Sequence, residues 1–95
     1  MSFAIDLAID AYKKDEVPVG AIIVKDNQII GSGHNSVMSD CSVSAHAEIN
    51  AINGASRFIK NYRLKGCDMY VTLEPCHMCA KAIVDARLDS LYFGA

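Results

Sequence analysis

Positions 17–24 read "VPVGAIIV", eight residues without a charge and rich in β-branched side chains. An apolar run of that length, with no polar alternation, predicts a strand covered on both faces. Upstream the period changes. Ile5, Ala8, Ile9 and Tyr12 recur at helical spacing within residues 2–14, and Lys13 and Lys14 stand at the end where a helix dipole favours cations. Downstream, "KDNQ" (25–28) supplies turn residues and "QIIGSGHN" (28–35) the return strand of a hairpin. Residues 36–44 are polar and read as a loop. Ser44 is placed to cap a helix from about Ala45, with Ile49, Ile52 and Ala55 inward. After a loop at 61–66 come a strand "DMYVTL" (68–73), a helix from Cys76 to Ala86, and a last strand "LDSLYFGA" (88–95). The order α-β-β-α-β-α-β predicts an α/β layered fold: a central mixed sheet, made of a hairpin plus later parallel strands, flanked by helices.

Composition narrows the class. Ninety-five residues make one small domain. A chain of this size buries only about two-thirds of its unfolded surface, so a bound metal or a partner subunit would help it. No stretch approaches the roughly 20 apolar residues of a membrane span. Asp6 and Asp10 stand where a signal peptide needs basic and then apolar residues. Four cysteines without such a signal point to a reducing cytoplasm, where thiols serve metals or catalysis more often than disulfides. A net charge of −2 excludes a surface that grips nucleic acid by overall charge, although Arg57, Lys60, Arg63 and Lys65 crowd nine positions. These four read equally well as a solvated loop or as phosphate contacts.

The segment "YVTLEPCHMCAKAI" (70–83) sets two cysteines three apart where a strand gives way to a helix. A redox dithiol, a structural zinc site and a catalytic zinc site all use such a pair. Haem attachment would need a histidine at position 80, which is Ala80. The deciding feature lies thirty residues upstream in "SAHAEINAI", where His46 and Glu48 open another predicted helix. If neighbouring parallel strands bring the two helix starts together, His46, Cys76 and Cys79 converge as three ligands. Three protein ligands on zinc leave a fourth place for water, the catalytic arrangement. Both helix N-termini then favour the negative charge of the thiolates. Glu48, two residues from His46, is placed to exchange protons without binding the metal.

H-A-E together with P-C-x-x-C on two helix starts is the zinc-deaminase signature. The chain resembles the cytidine/nucleotide deaminase superfamily, and within it the bacterial tRNA-specific adenosine deaminases. The likeness covers nearly the whole chain through "EVPVGAIIV", "GSGHN", "AHAEI", "NYRLKGC", "YVTLEPCHMCAKAI" and "LYFGA". The resemblance implies a three-layer cytidine-deaminase-like fold, Zn2+ held by His46, Cys76 and Cys79, and Glu48 as proton shuttle. It places Asn35 against the bound nucleotide, Val19, Gly20 and Ala21 along the base pocket, and the Ala47 backbone N–H nearby. It implies hydrolytic deamination of adenosine to inosine at the wobble position of the tRNA anticodon loop, by a cytoplasmic homodimer that binds across its subunit interface. The target base would be splayed from a single-stranded loop.

Two departures from that family stand out. Ser42, Val43 and Ser44 replace its usual Asp-Pro-Thr, and relatives of this kind run about fifty to sixty residues further. Residues 1–95 are therefore expected to be a single deaminase domain truncated after its fourth strand, lacking the family's final strand and C-terminal helices. The competing readings are deamination of a free base or nucleoside such as guanine or cytosine, an inactive zinc-stabilised domain, and a dithiol oxidoreductase, which would leave H-A-E unexplained. Cys67, Met69 and Met78 are expected to pack in the core, His77 on the surface, and Cys41 as a spare thiol.

Overall fold

The computed structural model describes residues 1–94. Ala95, the end of the expected last strand, lies outside the described residues. In chain order the elements are α1 (Ser2–Lys13), β1 (Gly20–Lys25), β2 (Gln28–His34), α2 (Val37–Asp40), α3 (Ala47–Ile59), β3 (Asp68–Val71), α4 (His77–Asp85) and β4 (Ser90–Phe93). The strands form one mixed sheet in the order β2-β1-β3-β4. β1 is antiparallel to both its neighbours, and β3 and β4 are parallel. Asp26 and Asn27 turn the β1–β2 hairpin, both at positive φ (51° and 63°), a conformation that these two residue types tolerate best after glycine.

Side chains divide the helices between two faces. Ala21 faces Gly33 and Val71 across the sheet, and Ile23 faces Gly31 and Met69, so these six share one side. α3 lies on that side and presents the small stripe Ala47, Ala51 and Ala55. The glycines make this contact possible. A Cβ on Gly33 would sit 2.6 Å from the Ala47 carbonyl oxygen, and one on Gly31 2.5 Å from that of Ala51. The main core forms here, with Ile23, Leu64, Met69, Val71 and Cys67 fully buried and Ile83 of α4 against them. Each large apolar side chain so buried contributes about 1.5–3 kcal/mol.

α1 covers the other face, packed on β1 and β2. Its buried residues are Ala4, Ala8 and Ala11, while Ile5, Ile9 and Tyr12 point outward, which corrects the stripe expected from spacing. Close approach is the reason: a Cβ on Gly20 would lie within 3 Å of α1 backbone atoms, and only alanine fits a helix that near the sheet.

Three other expectations change. The polar loop 36–44 contains the short helix α2. The second long helix starts at Ala47 with His46 as its N-cap, rather than at Ala45 with Ser44. The Ser44 hydroxyl pairs instead with that of Ser42, and the Ala47 N–H is taken by the Asn35 side chain. Met78 is 39% exposed and is not a core residue, whereas Met69 and Cys67 are fully buried as expected.

Candidate metal centre and substrate cavity

β2 and β3 both run antiparallel to β1 and flank it, so they point the same way and end together, beside Gly20 and Ala21. The helices that follow them, α3 and α4, therefore start at the same end of the sheet. This is the convergence that the spacing called for, with one difference: β1 separates the two strands.

The N-cap residues of these helices are His46 and Cys76, and neither side chain makes a capping hydrogen bond. An N-cap side chain ordinarily turns back on its own helix. Here both turn toward each other. The Nδ1 of His46 lies 3.7 Å from the Sγ of Cys76 and 3.4 Å from the Sγ of Cys79, and the three ligand atoms fall within 4.8 Å of one another. Arms of about 2.0 Å to nitrogen and 2.3 Å to sulfur give a tetrahedral edge of about 3.5 Å. The two S···N separations match that edge, and one imidazole nitrogen with two sulfurs is a zinc donor set.

Local sequence explains the posture of each donor. Pro75 biases Glu74 away from helical geometry, and Cys76 after it is extended, at ψ 176°. His46 is likewise extended, at ψ 156°. Cys79, one turn into α4, is fully buried. Burial pushes its thiol far above the ordinary value, and the Glu48 carboxylate and Cys76 push it further the same way. A buried thiol crowded by negative groups is a place where a cation relieves the electrostatics. Cys67 is also pushed up, by its burial first, but it stands apart from the cluster, its Sγ 3.7 Å from the Lys65 carbonyl oxygen.

A cavity of about 240 Å³ opens onto this cluster. Val17, Val19 and Leu73 supply apolar wall, Asn35, Glu48 and Glu74 the polar groups, and His46 and Cys76 one end. Glu48 is 4% exposed, in the first turn of α3. Asn35 is buried and accepts the Ala47 N–H on Oδ1 at 2.7 Å, while its own N–H donates to the Val19 carbonyl at 3.1 Å. Asn35 thus caps α3 from the end of β2, across twelve residues. Gly20 and Ala21 do not line the cavity: Gly20 lies beneath α1, bonded to Thr72, and Ala21 belongs to the core. The sequence reading missed Val17, Leu73 and Glu74; the first two carry no signal beyond apolarity.

The family model of the cytidine and deoxycytidylate deaminase zinc-binding region matches residues 1–95. The chain belongs to that family. A tRNA-specific adenosine deaminase of Buchnera aphidicola subsp. Schizaphis graminum (strain Sg) is 50% identical over 95 residues, covering 100% of this chain and 63% of the relative. A solved structure from a study of A-to-I editing by tRNA:A34 deaminases at the wobble position of transfer RNA shares 45% identity. Its TM-score is 0.96, over 98% of this chain and 72% of that one. The guanine deaminase from Bacillus subtilis has the same TM-score, 0.96, at 38% identity, over 99% of this chain and 60% of that one. The chain thus spans about three-fifths of the length of the Buchnera relative it matches. Zinc is the cofactor of the deaminase family, and the three-donor cluster fits it.

The basic residues 57–65 lie elsewhere. α3 carries His46 at its start and Lys60 at its end, fourteen residues apart, or about 20 Å at 1.5 Å per residue. Arg63 is engaged locally, its Nε–H donating to the Tyr62 hydroxyl at 3.1 Å. Among the described residues, no helix is long and apolar enough to cross a membrane.

Proposed function

We propose that this chain carries the centre of a zinc-dependent deaminase that converts adenosine to inosine in the anticodon loop of tRNA. The observation that carries the reading is a cavity lined by His46, Cys76 and a buried carboxylate, Glu48, with Cys79 completing the three-donor cluster and Glu48 outside it. His46, Cys76 and Cys79 would hold the metal. When bound, zinc supplies Lewis acidity that brings a water's pKa down toward about 7.

The chain's own residues do the rest. Glu48 takes the proton of the attacking water and delivers it to the ring nitrogen, N1, as the oxygen adds at C6. It then takes the proton of the hydroxyl added at C6 and delivers it to the exocyclic amine, which leaves as ammonia as the C6 carbonyl forms. Its burial keeps competing water from the proton path. Asn35, with Oδ1 committed to Ala47, keeps its Nδ2 hydrogens for an acceptor on the nucleotide. Val17, Val19 and Leu73 offer apolar surface to a base, in place of the expected Gly20 and Ala21. At about 240 Å³ the cavity is below the roughly 300–1,000 Å³ of drug-sized pockets and suits a single flipped base.

Fold does not separate an RNA adenosine from a free purine, since both solved relatives superpose equally well. Sequence favours RNA, at 50% identity to a tRNA-specific adenosine deaminase against 38% to a guanine deaminase. With the reactive end about 16 Å from Arg57 and about 21 Å from Lys60 along α3, any phosphates these residues meet belong to RNA away from the target base. A cytoplasmic homodimer belongs to the same reading. It is supported by four free cysteines and by Phe58, Tyr62 and Val84, apolar residues left exposed on and beside α3 and α4.

Ammonia release should be measured on an anticodon stem-loop bearing adenosine and, separately, on free adenosine, guanine and cytidine. The stem-loop is expected to react fastest. Faster release from guanine or cytidine would replace the RNA reading with that of a free-base or nucleoside enzyme.

A further inference from the structure

Glu16 is a buried acid that no step above uses. It is 6% exposed and stands immediately before Val17, at the start of one cavity wall. Its carboxylate reaches across to α2. Oε1 accepts the Met38 N–H at 3.1 Å, and Oε2 accepts both the Ser39 N–H and the Ser39 hydroxyl at 2.8 Å. Burial pulls its carboxyl upward, but the donors from Met38 and Ser39 outweigh this, and the group sits below the ordinary carboxylate range. It is therefore ionised at neutral pH, and its three bonds are charge-assisted.

What those bonds join matters more than their number. The segment that α2 belongs to leaves β2 at Asn35 and returns at His46. Its base is closed by the Ser36 N–H on the Ala45 carbonyl at 2.9 Å and by the Asn35 side chain on Ala47. This segment therefore carries two residues that line the cavity, Asn35 and His46. It meets the segment 16–19, which leads into β1, at two points, the Asn35 N–H on the Val19 carbonyl and the Glu16 carboxylate on α2. A loop held at one point can pivot, whereas a loop held at two cannot.

We propose that Glu16 is a positioning residue for the cavity: by fixing α2 it sets the separation between the Asn35–His46 wall and the Val17–Val19 wall. The role of that separation in substrate fit rests on the reading that the cavity takes the target base. Glutamine cannot substitute. It offers one acceptor oxygen to three donors and turns an NH₂ toward an N–H.

The test compares zinc-loaded wild type, Glu16→Gln, Ser39→Ala and the double variant, by amide hydrogen exchange and by KM and kcat on the stem-loop. In Glu16→Gln, exchange is expected to speed up at Met38 and Ser39 and also at Asn35 and Ala47, by roughly tenfold or more, the size of a lost charge-assisted bond. KM should rise by a similar factor with kcat changed far less and zinc still bound. Ser39→Ala should act in the same direction but more weakly, and adding it to Glu16→Gln should change little more. Should Glu16→Gln fail to fold, Ser39→Ala carries the same comparison. Faster exchange confined to Met38 and Ser39, or an unchanged KM in a protein that turns over the stem-loop, overturns the proposal. If no RNA is turned over and the wall amides still open, the substrate reading falls while the clamp stands.

Discussion

Cys79→Ala is expected to release zinc and to destabilise the domain far beyond the loss of one buried thiol. The side chain is fully buried at the first turn of α4, its sulfur 3.4 Å from the His46 ring nitrogen. Zinc bound only by the folded state at about a thousand times its Kd adds about 4 kcal/mol of stability. For a domain of this size that corresponds to on the order of 15–30 °C in Tm. Elemental analysis should find about one zinc per chain in wild type and none in Cys79→Ala. A chelator should lower the wild-type Tm toward that of the variant and leave the variant unmoved. Cys67→Ala is the control. Cys67 is equally buried but lies outside the donor cluster, so the substitution should cost packing alone and keep the metal.

Glu48→Gln is expected to cut turnover by about two to four orders of magnitude with the metal in place. Glutamine preserves the shape and removes the base. Positioned proton transfer contributes about 10²- to 10⁴-fold, and kcat should fall by that factor. The carboxylate lines the cavity and is absent from the three-donor cluster, so zinc content should match wild type. Steady-state kinetics with parallel metal analysis reads both. Zinc lost with the activity would make Glu48 a ligand, and wild-type rates would remove it from the chemistry.

The strands and the donor set were legible because both depend on local pattern. In "VPVGAIIV" the part from Gly20 on is apolar because β1 lies between two strands with helices on both faces, whereas 17–19 precede the strand and Val17 is exposed. The paired H-A-E and P-C-x-x-C mark helix starts, and helix starts are where the chain leaves a sheet. Their meeting across β1, however, is a property of strand order, which spacing alone leaves open.

The misplacements share one physical origin, contacts distant in sequence. α1 turns its large side chains outward because Gly20 draws it close enough that only Ala4, Ala8 and Ala11 fit beneath, and a hydrophobic stripe does not record how near a neighbour stands. Ser44 looked like a cap by its type and place, but Asn35 takes the Ala47 N–H from twelve residues away. Gly20 and Ala21 follow Val19 in sequence, yet the strand sends Gly20 under α1 and Ala21 into the core. Glu16 gave no signal, because its partners lie 22 and 23 residues downstream.

The central claim is that two helix N-termini, delivered by strands on either side of β1, assemble one zinc centre from His46, Cys76 and Cys79. Zinc-edge X-ray absorption on the purified protein tests it most directly. The account predicts a first shell of two sulfur scatterers with light nitrogen or oxygen atoms, and loss of one sulfur in Cys76→Ser. A metal-free folded protein with Cys76 and Cys79 joined in a disulfide, or a shell with more than two sulfurs, would contradict it.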